Sequence, residues 1–473
     1  MKKIYSIILS LIVFASSILT AEQTPIKNLS AYTLDNGLEL YVAENHTVPL
    51  VYIEICVRGG GIAQTKENAG LFHLYEHMMF KGNSKYPTSE EMQTALSNLG
   101  CSNWNGSTGQ EYINYFFTIP SAKLKEGLEF WSYAIRTPNM DKREFEAEKK
   151  VVISEIEGDK NDPNMVLYNF LSSKLFKEAP WARSPGGDAK IVKKATIEQL
   201  RKIQNEYYIP NNSALFVGGD VNPDEVYKLV NEIYGLWEKG ADPWENNKKQ
   251  FSLNPLKQTE YYVMPYDQIA PQIAQVQISF RGPDAEFNTS STYAADLLFS
   301  LTENPQSIYK QSLCTNQALG IPDPNYTGIS YYTQKRLGII NAYAVMLSPE
   351  YNIAERTKAY VQLVPEFVKQ SIPENADSED VKLAKTRFEN QEYFTQETAE
   401  NLLGTLRFWW ICSGSNYYYN YLSNMEKLNS DDIKQFYTDY VENTNAVVIL
   451  LINPEVYEKA KKDLSKNGFK LIK

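Results

Sequence analysis

Apolar and polar positions follow the same order twice along this chain. Residues 38–60, "LELYVAENHTVPLVYIEICVRGG", alternate as a strand, pass through a proline-containing connection and enter a second strand ending in Arg-Gly; residues 259–283, "TEYYVMPYDQIAPQIAQVQISFRGP", do the same. A second pair of stretches matches further on. "NNSALFVGGDVNPDEVYKLV" at 211–230 and "NTNAVVILLINPEVYEKAKK" at 443–462 both run from asparagines into an apolar strand, then through Asn-Pro into an amphipathic helix. The offsets, about 223 and 232 residues, agree closely enough to read as a duplicated domain. Between these landmarks, 141–157, 189–208 and 378–402 have helical spacing with Asp, Ser or Thr near their starts. The fold class expected is α+β: two duplicated domains, each a mostly antiparallel sheet packed against a layer of helices.

The polar stretch 238–256, "EKGADPWENNKKQFSLNPL", has two prolines and no sustained apolar period, so it reads as a linker between domains at 28–237 and 257–473. Residues 1–21 are a separate object. Lys2 and Lys3 precede the apolar run "IYSIILSLIVFASSIL" and small residues ending at Ala21, the order of a secretory signal peptide, with an uncleaved anchor as the alternative. No later stretch is apolar enough to span a bilayer, so an exported chain, periplasmic or extracellular, is expected.

Composition narrows the function. A hydrophobic share of 43% over 473 residues is that of a globular chain, and a formal charge of −10 disfavours nucleic acid as a partner. Cys56, Cys101, Cys314 and Cys412 are scattered, which suits small buried hydrophobes better than a disulfide framework. Gly59-Gly60-Gly61 lacks the lysine of a phosphate-binding loop. Among the 33 tyrosines, the cluster "RFWWICSGSNYYYNY" at 407–421 reads as core or interface packing, with the lining of a peptide chamber as the alternative.

The chemistry concentrates at 73–77, "HLYEH", which holds two of only three histidines. In a helix His73, Glu76 and His77 share a face, so two imidazoles can reach one zinc ion while the carboxylate between them reaches a water. This is the inverted zinc-protease pattern H-x-x-E-H. A third ligand is needed. His46 is the remaining histidine, and "REFEAEKKVVISEIEGD" at 143–159 offers carboxylates on a helix that Asp141 can cap and Gly158 can end; Glu148 and Glu155 lie two turns apart on it.

The stretch "GLFHLYEHMMFKG" resembles the zinc site of the pitrilysin, insulin-degrading enzyme and mitochondrial processing peptidase family. That resemblance implies Glu155, 78 residues beyond His77, as the third ligand, and Glu148, seven residues earlier, as a supporting group. "VRGGGIAQTKENAGLFHL", "NWNGSTGQEYINYFF" and "YYIPNNSALFVGGDV" are similar to other family stretches, and the second implies that Asn105 faces the substrate backbone. Family members place an Arg and a Tyr against the substrate carbonyl, for which Arg336, Tyr343 and Tyr351 in "QKRLGIINAYAVMLSPEY" are candidates. Phe72 and Tyr75 depart from the family's usual residues and bear on the shape of the substrate pocket. The activity implied is zinc metalloendopeptidase, one zinc per chain, with Glu76 as general base and peptides or unfolded polypeptides as substrate. The second repeat has no histidine, so it is expected to shape the site rather than catalyse. The family closes two two-domain units into a chamber, which implies a homodimer, or a heterodimer with a related chain. A non-catalytic scaffold or partner subunit, and a zinc enzyme acting on a non-peptide substrate, are the competing readings.

Overall fold

The apolar run of residues 50–58 carries four β-branched side chains and becomes a nine-residue strand that is buried at seven successive positions. Burial on both faces needs a cover on each side of the sheet, and the two covers come from different halves of the chain. The computed structural model describes residues 22–101, 103–245, 252–375 and 378–472; the leader at 1–21 and the middle of the linker, 246–251, lie outside the described residues.

The first sheet contains β1 (Glu22–Gln23), β2 (Leu29–Thr33), β3 (Glu39–Glu44), β4 (Leu50–Arg58), β5 (Asn103–Thr108), β6 (Tyr112–Pro120) and β7 (Ser213–Gly219), in the order β1-β2-β3-β7-β4-β6-β5. The second contains β8 (Glu260–Pro265), β9 (Ile273–Arg281), β10 (Thr327–Tyr332), β11 (Ile339–Leu347), β12 (Val447–Ile452) and β13 (Lys470–Leu471), in the order β10-β11-β9-β12-β8-β13. Each is antiparallel apart from the pairing of β3 with β7 in one, and of β8 with β12 and β13 in the other. The two repeats are therefore duplicated α+β domains, as their shared pattern predicts.

One face of each sheet packs on helices of its own half. The other face is closed by exchange. The helix Ala399–Cys412, from the second half, lays Leu402, Leu403, Leu406 and Trp410 on Tyr41, Tyr52, Cys56, Ala214 and Phe216 of the first sheet. Reciprocally, the helix Pro163–Leu175 packs Leu171 and Leu175 against Tyr262, Ile449 and Leu451 of the second. The duplicated Arg-Gly sits at these junctions. Arg58 donates to the Trp410 carbonyl (3.3 Å) and lies 3.6 Å over its ring, while Arg281 donates to the Leu175 carbonyl at 2.6 Å. Each arginine thus meets the last turn of the incoming helix, where free carbonyls favour a cation.

Three helix boundaries differ from the pattern. The segment 189–208 is two helices, Ala189–Lys194 and Ile197–Tyr207, because Thr196 forms a capping box with Gln199 and starts a new helix. Thr398 likewise caps the helix from Ala399, separating it from Glu379–Thr395. Asp141 does cap Lys142–Asp159, but that helix continues through Gly158, whose φ has no need to be positive there. No disulfide forms; Cys56 and Cys412 are buried, Cys101 and Cys314 half-buried.

Candidate metal centre

The "HLYEH" stretch lies in the short helix Leu71–Met78. Its entry is Gly70 at φ 92°, where a Cβ would meet the Gly186 carbonyl oxygen at 2.8 Å, so only glycine lets the 184–187 loop approach the helix start. The Gln64 side chain accepts from the Gly70 N–H at 2.8 Å, satisfying one of the free N–H groups at the helix start. The helix Lys142–Asp159 packs across it and brings in the two carboxylates.

Three donor groups converge. His73, His77 and Glu155 each offer a ligand atom within 4.8 Å of the others. His73 Nε2 and His77 Nε2 are 3.2 Å apart, and Glu155 Oε2 is 3.7 and 3.5 Å from them. Behind His77, Nδ1 lies 2.9 Å from Glu148 Oε2, and Lys81 Nζ holds the other Glu148 oxygen at 2.7 Å. With the Nδ1 proton directed at Glu148, His77 presents its Nε2 lone pair to the cleft. Facing imidazole lone pairs repel unless a cation lies between them. Ligand bonds of about 2.0–2.1 Å around a tetrahedral ion separate their donors by about 3.3 Å. The residues present therefore fit a zinc ion in both donor chemistry and spacing.

Electrostatics point the same way. Burial, with the neighbouring His77, pushes His73 down to about 4, keeping it neutral and able to ligate. Burial opposes charge on His77 too, yet the Glu148 hydrogen bond and the charges of Glu155 and Glu76 outweigh it and raise its pKa. Burial also raises Glu76, against the lowering effect of Thr108. Thr108 Oγ1 donates to Glu76 Oε2 at 2.5 Å, so the edge strand β5 fixes this carboxylate. At Gly106, one pleat before, a Cβ would come within 3.2 Å of Glu76 Oε1.

These groups open into a cavity of about 720 Å³ between the halves. Its near wall includes His73, Glu76, Ser107 and Thr108, and its far wall Tyr332, Gln334, Arg407 and Phe408. Arg407 is held there by Glu54, its Nε 2.9 Å from Oε1 as an ion-pair contact, off the line of a full hydrogen bond. The start of the 407–421 aromatic stretch thus takes the chamber-lining alternative at Arg407 and Phe408, while Tyr332 and Gln334 went unmarked in the sequence, since nothing local ties them to a helix some 260 positions earlier. Asn105 is exposed on β5, the outer strand of its sheet, with its Oδ1 accepting from the Gly106 N–H at 2.9 Å. His46 stands apart, exposed between Asp220 and Glu44.

Other candidates fall elsewhere. Arg336 is 7% exposed and ion-paired with Glu286 at 2.9 Å, while Tyr343 and Tyr351 are exposed; none of the three lines the cavity. Phe72 and Tyr75 are both 0% exposed, packed on Tyr207 and Tyr208. Tyr75 lies across the helix from the His73–Glu76–His77 face and Phe72 on its flank, so both fill core and neither shapes the pocket.

Fold and site together define a two-domain protein with an H-x-x-E-H helix and a remote glutamate. Residues 40–188 match the family described as insulinase (peptidase family M16), and 194–388 match the peptidase M16 inactive domain. The chain belongs to this family. It is 24% identical over 202 residues to the mitochondrial-processing peptidase subunit beta of Dictyostelium discoideum, covering 43% of each chain. Its alignments span about half the length of the curated relatives it matches, 43% and 57% for the first two. Among solved structures, a protease from Helicobacter pylori superposes with a TM-score of 0.71 at 18% identity, over 91% of this chain and all of that one. The periplasmic protease PqqL from Escherichia coli gives 0.74 at 16% identity, over 94% of this chain and 49% of that one. At these identities the structures establish the shared fold.

Proposed function

We propose that the protein is an exported zinc metalloendopeptidase acting on peptides or unfolded polypeptides. The observation that carries this is the convergence of His73, His77 and Glu155 beside a buried Glu76 that Thr108 holds in place. Zinc held by these three residues supplies Lewis acidity, activating water and polarising a carbonyl. Glu76, its proton affinity raised by burial, takes a proton from the attacking water at its carboxylate and passes it to the leaving amine. Glu148 keeps the His77 ring turned so that Nε2 faces the cleft. The outer edge of β5, with Asn105, is open to an extended peptide, which could add to the sheet as a strand.

Residues 28–237 would then form the catalytic domain and 257–473 its sister, joined by 238–256. The likeness to a periplasmic protease supports export of this chain. The exposed Tyr343 and Tyr351 are accessible to a second chain, in a homodimer or a heterodimer with a related subunit. The intact donor set argues against a purely structural subunit.

Purified protein should carry one zinc per chain and cleave an unstructured peptide library. In Glu76→Gln, zinc should remain while kcat/KM falls by about 10²–10⁴. Zinc-free protein under non-chelating conditions, or a fully active Glu76→Gln, would sink the assignment.

A further inference from the structure

Most of the aromatic stretch that opens at Arg407 is packing: Trp410, Tyr417 and Tyr418 are buried. Arg407 is not accounted for in that way. It lines two cavities at once, the one that holds His73 and Glu76 and a neighbour of about 650 Å³ bounded by Tyr52, Phe116, Phe394 and Phe408. No other lysine or arginine lines either among the described residues.

Its orientation is set from behind. Glu54 Oε1 lies 2.9 Å from Nε, and the Tyr112 ring is 4.7 Å from the guanidinium carbon. Glu54 is 0% exposed and also accepts from Asn114 Nδ2 at 2.5 Å and Tyr52 Oη at 2.8 Å. So engaged, that carboxylate cannot swing round to cap the outer edge of the guanidinium. The two terminal nitrogens of Arg407 make no hydrogen bond among the described residues. A guanidinium braced on one side by a carboxylate and a ring, with a bare edge on the other, suits a planar, two-oxygen anion. Glu400, two turns earlier on the same helix, is exposed on the side of the second cavity and repels anions there. The cavity that holds His73 is lined by Glu76, Glu111 and Asp159 as well, with Glu111 engaged by the Lys335 N–H and the Cys412 thiol, and it is from this side that a substrate beside the donor cluster would reach Arg407.

We propose that Arg407 is a specificity-determining residue that binds a carboxylate of the peptide substrate, an inference that rests on the peptidase reading above. That carboxylate belongs either to an Asp or Glu side chain or to the peptide's C-terminus.

The test uses two peptide series on the full chain. One replaces Asp or Glu by Asn or Gln position by position, and the other compares free with amidated C-termini. The wild type should favour the carboxylate form by about tenfold in kcat/KM, chiefly through KM. Arg407→Gln alone strands Glu54 without a counter-charge, so Glu54→Gln/Arg407→Gln, which keeps the pair neutral, is the decisive variant, with its fold checked by circular dichroism. Its ratio should fall to about one, and Arg407→Lys should keep part of the preference. The series that responds identifies the carboxylate. Equal cleavage of both forms by the wild type, or an unchanged ratio in the double variant, overturns the proposal. Should no peptide be cleaved at all, the peptidase reading fails separately, and fluorescence anisotropy of the same peptides still reads the preference without turnover. Equal binding there would overturn it as well.

Discussion

Glu148 touches no reacting atom, yet it decides which nitrogen of His77 faces the cleft, and Lys81 holds it in that role. Glu148→Gln should therefore weaken metal binding by about 10–100-fold, measured by competition with a chromophoric chelator. Unchanged affinity would mean that packing alone orients the ring. At this scale the site was half legible. His73, Glu76 and His77 announce themselves because helical spacing is local and few histidines compete. Glu155 needed the family resemblance, since any of several carboxylates on Lys142–Asp159 fits a surface helix equally well. Tyr75 could have been placed in the core from the same helical wheel that aligned the histidines. Arg407 could not, because its role exists only once a helix from the second half crosses the first sheet.

Among the helices, Thr289–Glu303 is the second repeat's counterpart of the histidine helix. Asp296 lies fifteen residues after Arg281, as His73 lies fifteen after Arg58. In place of a metal it has Tyr421, whose hydroxyl donates to Asp296 Oδ2 at 2.7 Å. Burial pushes Asp296 up from 3.8 to about 7. The folded state thus binds the proton more tightly than the unfolded chain does. Its contribution to stability is complete below about pH 4 and is lost as the pH rises through 7. Asp296→Asn keeps an acceptor for Tyr421 without the charge, and should gain about 2 kcal/mol over the wild type at pH 8 while gaining little at pH 4. Urea unfolding at both pH values checks this, and parallel shifts would contradict it. The repeat itself was readable from alternating strands and matching Arg-Gly ends. The helix breaks at Thr196 and Thr398 were written as cap residues but hidden inside continuous apolar periodicity.

For the whole molecule, the exchanged helices decide how the halves behave. Each sheet has one face completed by a helix from the other repeat, with Arg58 and Arg281 on the last turns. Neither half can lose its fold while the other stays intact. Scanning calorimetry should show one transition, with a calorimetric enthalpy close to the van't Hoff value; two resolved peaks would mean that the halves unfold independently. Nothing in the linear pattern disclosed the exchange, because a sheet face covered by its own helices and one covered by a neighbour's carry the same apolar residues. It also makes the peptide connection between repeats dispensable for holding them together. A chain nicked in its linker would persist as a two-piece particle. Fragments made apart would each carry a naked, sticky sheet face until they met, so a split version of this protein would assemble itself or aggregate, with no stable half in between.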